Sequence, residues 1–416
     1  MRRLICLFLA AGLLALTCAF SDAASSRQAA NVERGRYLAV LGDCAGCHTR
    51  AHGAPFAGGL PFHAQFGTVY STNITPDVKT GIGGWTQGQF YRALHDGIAA
   101  DGSHLYPAFP YAYFRRLTRQ DTADLYAYLR TLKPVHQPPT SNRLTFPFNI
   151  RALMTFWNWL YLPHDAPKPE MMKSAAWRRG EYLVNGLGHC GACHTPKNIL
   201  FGDVTGKELT GAVVDHWFSA NLTGSRAEGL GNWNEADLVI YLQTGRNRYA
   251  TAAGSMQEKV TSSTSHMRQE DRTAIATYLK SLAPHRLNTR VAPDATRMAA
   301  GQAVFIQHCV VCHQPPQRIA GPSIPLPDYP RLGGDTLVAG RDPTTVLRII
   351  LQGAQSPLTP NAPIAYSMPS FATLSDQQVA DVATYIRARW GNGASSIGRS
   401  AVHKLRAALK GEARNN

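Results

Sequence analysis

A chain of 416 residues is too long for one ordinary domain, and its 44% apolar and 9% aromatic content is enough to bury several cores, which sets aside a disordered or low-complexity protein. Its formal charge of +15 points to an anionic partner, whether nucleic acid, a lipid surface or an acidic protein.

The N-terminus narrows that choice. Arg2 and Arg3 precede an uncharged apolar run from Leu4 to Phe20, and small residues follow from Ser21 to Ala24. Residues 1–23 therefore read as a secretory signal cleaved after Ala23. An uncleaved anchor is the competing reading, because the run nears the lower limit of a spanning helix, roughly 17 residues. A lipid-attachment box fits poorly, since Ala15-Leu16-Thr17 precedes Cys18. Removal of the signal leaves 40 basic and 26 acidic side chains, a charge of +14. Export sets nucleic acid aside as a partner.

Three similar segments follow. The first, residues 28–136, opens with "GRYLAVLGDC" from Gly35, passes through "FYRALHDG" ending at Gly97 and closes with "ADLYAYLR", which carries Tyr128. A linker over 137–170 is rich in proline and aromatics, and its apolar stretch from Phe146 to Leu162 suits packing between domains or contact with a partner or a membrane surface. The second segment, 171–287, repeats the order with "GEYLVNGLGHC" from Gly180, "LVIYLQTG" ending at Gly245 and "TAIATYLK" with Tyr278. The third, 292–390, has "GQAVFIQHC" from Gly301, "VLRIILQG" ending at Gly353 and "ADVATYIR" with Tyr385.

Apolar positions recur at spacings of three and four, and nothing near the cysteines alternates as a strand would. The expected fold class is therefore all-α, in three tandem domains of about a hundred residues. The aromatic of each closing helix is expected to pack on the opening helix. Residues 391–416 form a basic tail in which Val402, Leu405 and Leu409 share one face, with Arg399, Lys404, Arg406 and Lys410 around it. That pattern suits either a helix lying on an anionic membrane or partner, or a solvated tail helix.

Cys6 and Cys18 fall in the signal, and the other six cysteines make three copies of one motif: Cys44-Ala-Gly-Cys47-His48, Cys190-Gly-Ala-Cys193-His194 and Cys309-Val-Val-Cys312-His313. Three C-x-x-C-H motifs in an exported chain read as three covalent c-type haems. The spacing has a physical reason: two thiols bond the porphyrin vinyl groups, and the adjacent histidine is then held beneath the iron. A zinc site would need each cysteine pair to borrow ligands from another domain, and a dithiol oxidoreductase would want a βαβ context. No dinucleotide fingerprint or catalytic triad supplies substrate chemistry, so three haems in a row read as an electron wire. The rival is a self-contained haem enzyme, a peroxidase or small-molecule reductase, with one iron left open.

Sixth ligands decide between those readings. For the third haem, Met368 in "YSMPSFATLSD" is the candidate, because a thioether raises the potential and a loop methionine beside proline has little packing reason to be there. Met256 and Met267 compete in the second domain. Met154, Met171, Met172 and Met298 sit outside the ligand loops and read as packing residues. In the first domain no methionine occurs between His48 and Met154; the nearby histidines are His52, His63, His95, His104 and His136, against another side chain or an open iron.

Over nearly its whole mature length the chain resembles the triheme cytochrome c subunits of bacterial membrane-bound dehydrogenases, which serve alcohol, gluconate and fructose dehydrogenases and some molybdenum-dependent aldehyde oxidoreductases. The stretches that carry the resemblance are "STNITPDVKTGIGGWTQGQF", "HLYPAFPYAYFRRLTRQDTADLYAYL", "SANLTGSRAEGLGNWNEADLVIYLQTGRN" and "MPSFATLSDQQVADVATYIRARWGNGASSIGRSAVHKLR". The resemblance implies an electron-transfer subunit in the periplasm, associated with the inner membrane. Its partner would be a dehydrogenase catalytic subunit of flavin, pyrroloquinoline quinone or molybdenum type, and the acceptor would be ubiquinone or a terminal acceptor. It also implies cytochrome c-like haem domains. Met256 matches the family's Gly-x-Met position, which leaves Met267 to the core. Where some relatives read Pro-Ala-Met-Pro, this chain has Pro107-Ala108-Phe109-Pro110, which turns the search for the first haem's ligand to His104.

Overall fold

The computed structural model describes residues 26–64, 66–162, 170–285, 292–313 and 331–415; the signal reading at 1–23 lies outside them. The first segment holds α1 (26–41), α2 (Cys44–His48), strands β1 (Pro61–Ala64) and β2 (Gly67–Tyr70), α3 (Gln87–Asp96), α4 (Tyr111–Phe114) and α5 (Arg119–Leu129). The linker contributes β3 (Arg143–Leu144) and α6 (Leu153–Tyr161). The second segment holds α7 (Ala175–Tyr182), α8 (Cys190–His194), β4 (Ala212–Val214), β5 (Trp217–Ser219), α9 (Glu235–Thr244), α10 (Ser255–Ser262) and α11 (Gln269–Lys280). The third holds α12 (Ala295–His308), α13 (Thr344–Gln352), β6 (Ala354–Gln355), β7 (Ser367–Met368) and α14 (Asp376–Ala388), and α15 (Arg399–Asn415) closes the chain.

One crossing recurs three times. The opening helix lies on the closing helix at a glycine, so close that an added Cβ would sit 1.9 Å from Asp124 O at Gly35, 1.9 Å from Ala274 O at Gly180 and 2.2 Å from Asp381 O at Gly301. Beside each contact lies the expected tyrosine, Tyr128, Tyr278 or Tyr385, with its Cβ 2.7–2.9 Å from the same point. An arginine then bonds a carboxylate of the closing helix: Arg34 with Asp121 and Asp124, Arg179 with Asp271, Arg297 with Asp381. The opening helices differ in length to the first cysteine, and the extra residue between Gly180 and Cys190 is absorbed by a π-turn over Leu183–Leu187, where Gly188 N–H reaches back to Leu183 O at 2.7 Å.

The first two segments dock reciprocally. Tyr37 of α1 donates to Asp271 of α11 at 2.8 Å, and Tyr182 of α7 donates to Asp121 of α5. Each hydroxyl also accepts a backbone N–H from the chain entering the facing closing helix, from Arg268 to Tyr37 and from Thr118 to Tyr182. The two segments share one apolar core, whereas the third has its own. The third rests on the β4–β5 hairpin: Thr345 receives Phe218 N–H at 2.7 Å, and the Arg348 guanidinium lies 4.4 Å over the Trp217 ring.

The fold is helix-rich, and among the described residues there are three small antiparallel sheets that the sequence does not announce. Their strands are two to four residues long, too short to alternate visibly. The β4–β5 turn places Asp215 and His216 both at positive φ, 49° and 55°, a conformation usually signalled by Asn-Gly or Asp-Gly. The tail departs from both readings of its sequence. Val402, Leu405 and Leu409 are buried against α13 and α14, so that apolar face belongs to the third core and does not remain for a membrane. Met154 and Met298 do pack, but Met171 and Met172 are solvent-exposed.

Candidate haem attachment sites

Each of the first two motifs is a single helical turn entered through a left-handed residue, Asp43 (φ 55°) before Cys44 and His189 (φ 41°) before Cys190. That entry turns the chain sharply out of the opening helix, and the first cysteine of each motif, Cys44 or Cys190, packs against the shared core. His48 Nδ1–H donates to Thr72 O at 2.6 Å, and His194 Nδ1–H donates to Ala220 O at 2.7 Å. A committed Nδ1–H leaves Nε2 as the nitrogen with the free lone pair, the arrangement that orients a metal-bound imidazole. Burial lowers the basicity of both rings, and the carbonyl contacts only partly offset it, so both stay neutral as ligation requires.

The thiols are unpaired. Burial pushes Cys44 and Cys47 to about 12 and Cys190 to about 11. A redox-active dithiol needs the opposite, a thiolate at neutral pH. The third motif is a turn in which His313 N–H bonds Cys309 O at 2.9 Å, and the chain beyond it at 314–330 lies outside the described residues.

Met256 is the second residue of α10, half-buried against the shared core. The residue that precedes the helix is Gly254, whose φ of 57° and close approach to the Trp217 ring, 2.5 Å from a would-be Cβ, exclude a side chain. Met267 is 5% exposed within the core. Met368 lies in β7, paired with Ala354 just past α13, and its loop is tied down by Ser370 to Leu351 O (2.6 Å) and Phe371 N–H to Ile350 O (2.9 Å). The Phe371 ring touches His308, the residue before Cys309, so the Met368 loop and the third motif are neighbours.

His104 is placed differently from what ligation needs. Its Nε2 meets Thr155 Oγ1 at 2.9 Å and its Nδ1 faces Asn158 at 3.5 Å, both on α6, so the ring is held by the linker helix instead of being offered to an iron. Phe109 packs among Tyr111 and Phe114 at the corresponding loop. His104→Ala should therefore leave the haem spectrum unchanged and cost about 1 kcal/mol of stability. A new high-spin, carbon monoxide-binding species in that variant would restore His104 as a ligand.

Four donors that sequence reasoning passes over lie in the second segment. Asn221 Nδ2, Trp233 Nε1, Arg246 Nη1 and Arg272 Nε are buried with no hydrogen-bond partner among the described residues. Buried orphan donors are costly and call for an acceptor, an ordered water or an anionic group. The propionate carboxylates of a haem are acceptors of the kind that Trp233 and Arg246 lack. Only the motifs "GNWNEADL" and "QTGRN" hint at them in the sequence, and nothing there says which polar atoms end up unpaired.

A neutral imidazole fixed through Nδ1 beside two buried free thiols defines a class, the c-type cytochromes. The cytochrome c family profile matches residues 32–133 and 298–390. The chain is 39% identical over 387 residues to the gluconate 2-dehydrogenase cytochrome c subunit of Pantoea cypripedii, spanning 88% of this chain and 87% of that one. To the alcohol dehydrogenase (quinone) cytochrome c subunit of Gluconobacter oxydans it is 36% identical over 418 residues, 95% and 86% of the two chains. To the fructose dehydrogenase cytochrome subunit of Gluconobacter japonicus it is 35% identical over 412 residues, 91% of this chain and 83% of that one. The chain belongs to the family of dehydrogenase cytochrome c subunits, a family that implies covalent haem c.

Proposed function

We propose that this chain is an electron-transfer subunit with three cytochrome c-like domains, each carrying one covalent haem. Cys44 and Cys47, Cys190 and Cys193, and Cys309 and Cys312 bond the three porphyrins; His48, His194 and His313 are the proximal ligands, and Met256 and Met368 the distal ligands of the second and third. The observation that carries the reading is the repeated glycine crossing placed eight to ten residues before each C-x-x-C-H motif. When bound, haem supplies one-electron chemistry, and the chain holds, shields and tunes it.

Electrons enter from a dehydrogenase catalytic subunit of flavin, pyrroloquinoline quinone or molybdenum type and leave to ubiquinone or a terminal acceptor. The mature chain works in the periplasm, peripherally attached to the inner membrane. No helix among the described residues is long and apolar enough to cross a membrane. A surface for attachment is supported by α6: Met154 and Trp157 are buried, while Phe156 and Trp159 on its other side are 57% and 63% exposed. Beside it, in the loop that receives Trp157 Nε1–H at Leu200 O, Ile199 is 89% exposed. A contiguous apolar surface of this kind marks contact with a partner or a lipid headgroup region.

The test is a haem count. Pyridine haemochrome should give three haems per mature chain, and changing both cysteines of any one motif to alanine should remove one third of the absorbance. Bound zinc in place of haem, or substrate oxidation by the purified chain alone, would overturn the assignment.

A further inference from the structure

The reciprocal docking of the first two segments has a chemical consequence at the attachment loops, which rests on the haem reading above. It seats the Leu41–Cys47 loop on the Leu187–Cys193 loop: a Cβ at Gly42 would lie 2.9 Å from Leu187 Cδ1, and the His189 ring faces Gly42 O at 3.4 Å. The third motif is not part of this contact. Its own core is separate, and residues of α12 make no such exchange of tyrosines, since the position two after Gly301 is Ala303.

Into this junction α10 sends Lys259, three residues beyond Met256. Its ammonium lies 3.4 Å from Leu41 O and 4.0 Å from Asp43 Oδ2, and the two side chains are only 17% and 12% exposed. Ser263 of the same stretch donates to Leu41 O at 3.3 Å and fixes the approach. Asp43 is built into the first motif, with its carboxylate folded over Gly46, 2.5 Å from a would-be Cβ. Its Oδ1 is buried with no hydrogen-bond partner among the described residues. The other charged or titratable groups around the junction are Glu258, His189 and, on the second motif, Lys197, whose ammonium bonds Gly191 O at 3.1 Å and pairs with the Asp203 carboxylate. Burial holds His189 down at about 3, so it carries no charge there.

The geometry points to Asp43 and Lys259 as a buried charge pair that sets the potential of the first haem below that of the second. A negative charge beside an iron stabilises its ferric state and lowers its potential; a positive one does the reverse, and both act strongly where water is excluded. The carboxylate belongs to the first motif, whereas at the second the Lys197 ammonium is paired with Asp203, which leaves the Lys259 ammonium as the charge that distinguishes the junction from the carboxylate side. The step so favoured moves one electron from the iron held by His48 to the iron held by His194. The first becomes ferric and the second ferrous, no bond is made or broken, and the reductant is the partner dehydrogenase.

Potentiometric titration of the haem-loaded full chain tests this, with each centre assigned by the double-cysteine variant that removes it. Lys259→Met should shift the first and second midpoints downward and leave the third in place, and Lys259→Arg should keep all three near their original values. Asp43→Asn should raise the first midpoint by more than the second. Three bound haems whose midpoints ignore both changes, or a third midpoint that moves as far as the others, would overturn the charge pair alone. A count below three haems would instead overturn the attachment reading beneath it.

Discussion

Replacing Gly180 by valine is expected to destabilise the protein by at least about 3 kcal/mol, the upper range for overpacking a tight site. The added Cβ would meet Ala274 O at 1.9 Å, Ala274 C at 2.6 Å and Tyr278 Cβ at 2.8 Å. Two of these three atoms are backbone within α11, so no rotamer change relieves the clash and the helices must part. Parting them breaks the two Arg179–Asp271 bonds at 2.7 and 2.9 Å, the Tyr37–Asp271 bond that joins the first two segments, and the edge-on packing of Trp177 with Tyr278. Gly411 makes the contrast: nothing lies within 4 Å of its would-be Cβ on α15, and Gly411→Ala should raise stability by up to about 1 kcal/mol through helix propensity. Thermal unfolding followed by circular dichroism measures both. A Gly180→Val protein that melts with the wild type would mean that α7 and α11 do not cross there.

The crossings were legible because they rest on local pattern. Gly35, Gly180 and Gly301 each open an amphipathic segment shortly before a cysteine motif, and Tyr128, Tyr278 and Tyr385 each sit on a closing one. A close helix contact needs a glycine on one side, so the repeat of glycine and aromatic carries the packing within the sequence itself. What it does not carry is which segment docks on which. Tyr37 and Tyr182 look like ordinary core aromatics until their hydroxyls are seen on Asp271 and Asp121, more than 60 residues away in each case. The tail shows the same limit from the other side. A stripe of Val402, Leu405 and Leu409 among basic residues has one appearance whether it meets lipid or the protein's own α13 and α14.

The site divides along similar lines. Cysteine and proximal histidine positions follow from spacing, because covalent attachment demands that spacing. Distal ligands come from loops of variable length, and His104 illustrates the hazard: its nearness to Phe109 along the chain says nothing of Thr155 and Asn158, which a separate helix brings to its ring. Trp233, Arg246 and Lys259 were invisible as site residues for a related reason. Their importance lies in what is missing or crowded around them in space, an unpaired donor or a charge between two loops.

Under the proposed three-haem assignment, Met368 offers the sharpest test of a distal ligand. Met368→His should lower the third midpoint potential by a substantial part of the roughly 0.8 V that axial ligands span, while the centre stays low-spin, because imidazole donates more strongly to ferric iron than a thioether does. The loop cannot drift away to avoid the new side chain. β7 is paired to β6, Ser370 holds Leu351 O, Phe371 holds Ile350 O, and the Phe371 ring abuts His308 next to Cys309. Met368→Ala separates ligation from mere packing: loss of a ligand should give a high-spin third centre that binds carbon monoxide, whereas loss of a packing residue would lower stability and leave the spectrum as it was. The first two centres are internal references, since their attachment loops pack on one another in a core that Met368 does not enter. A titration in which all three midpoints stay put in Met368→His removes that residue from the coordination sphere.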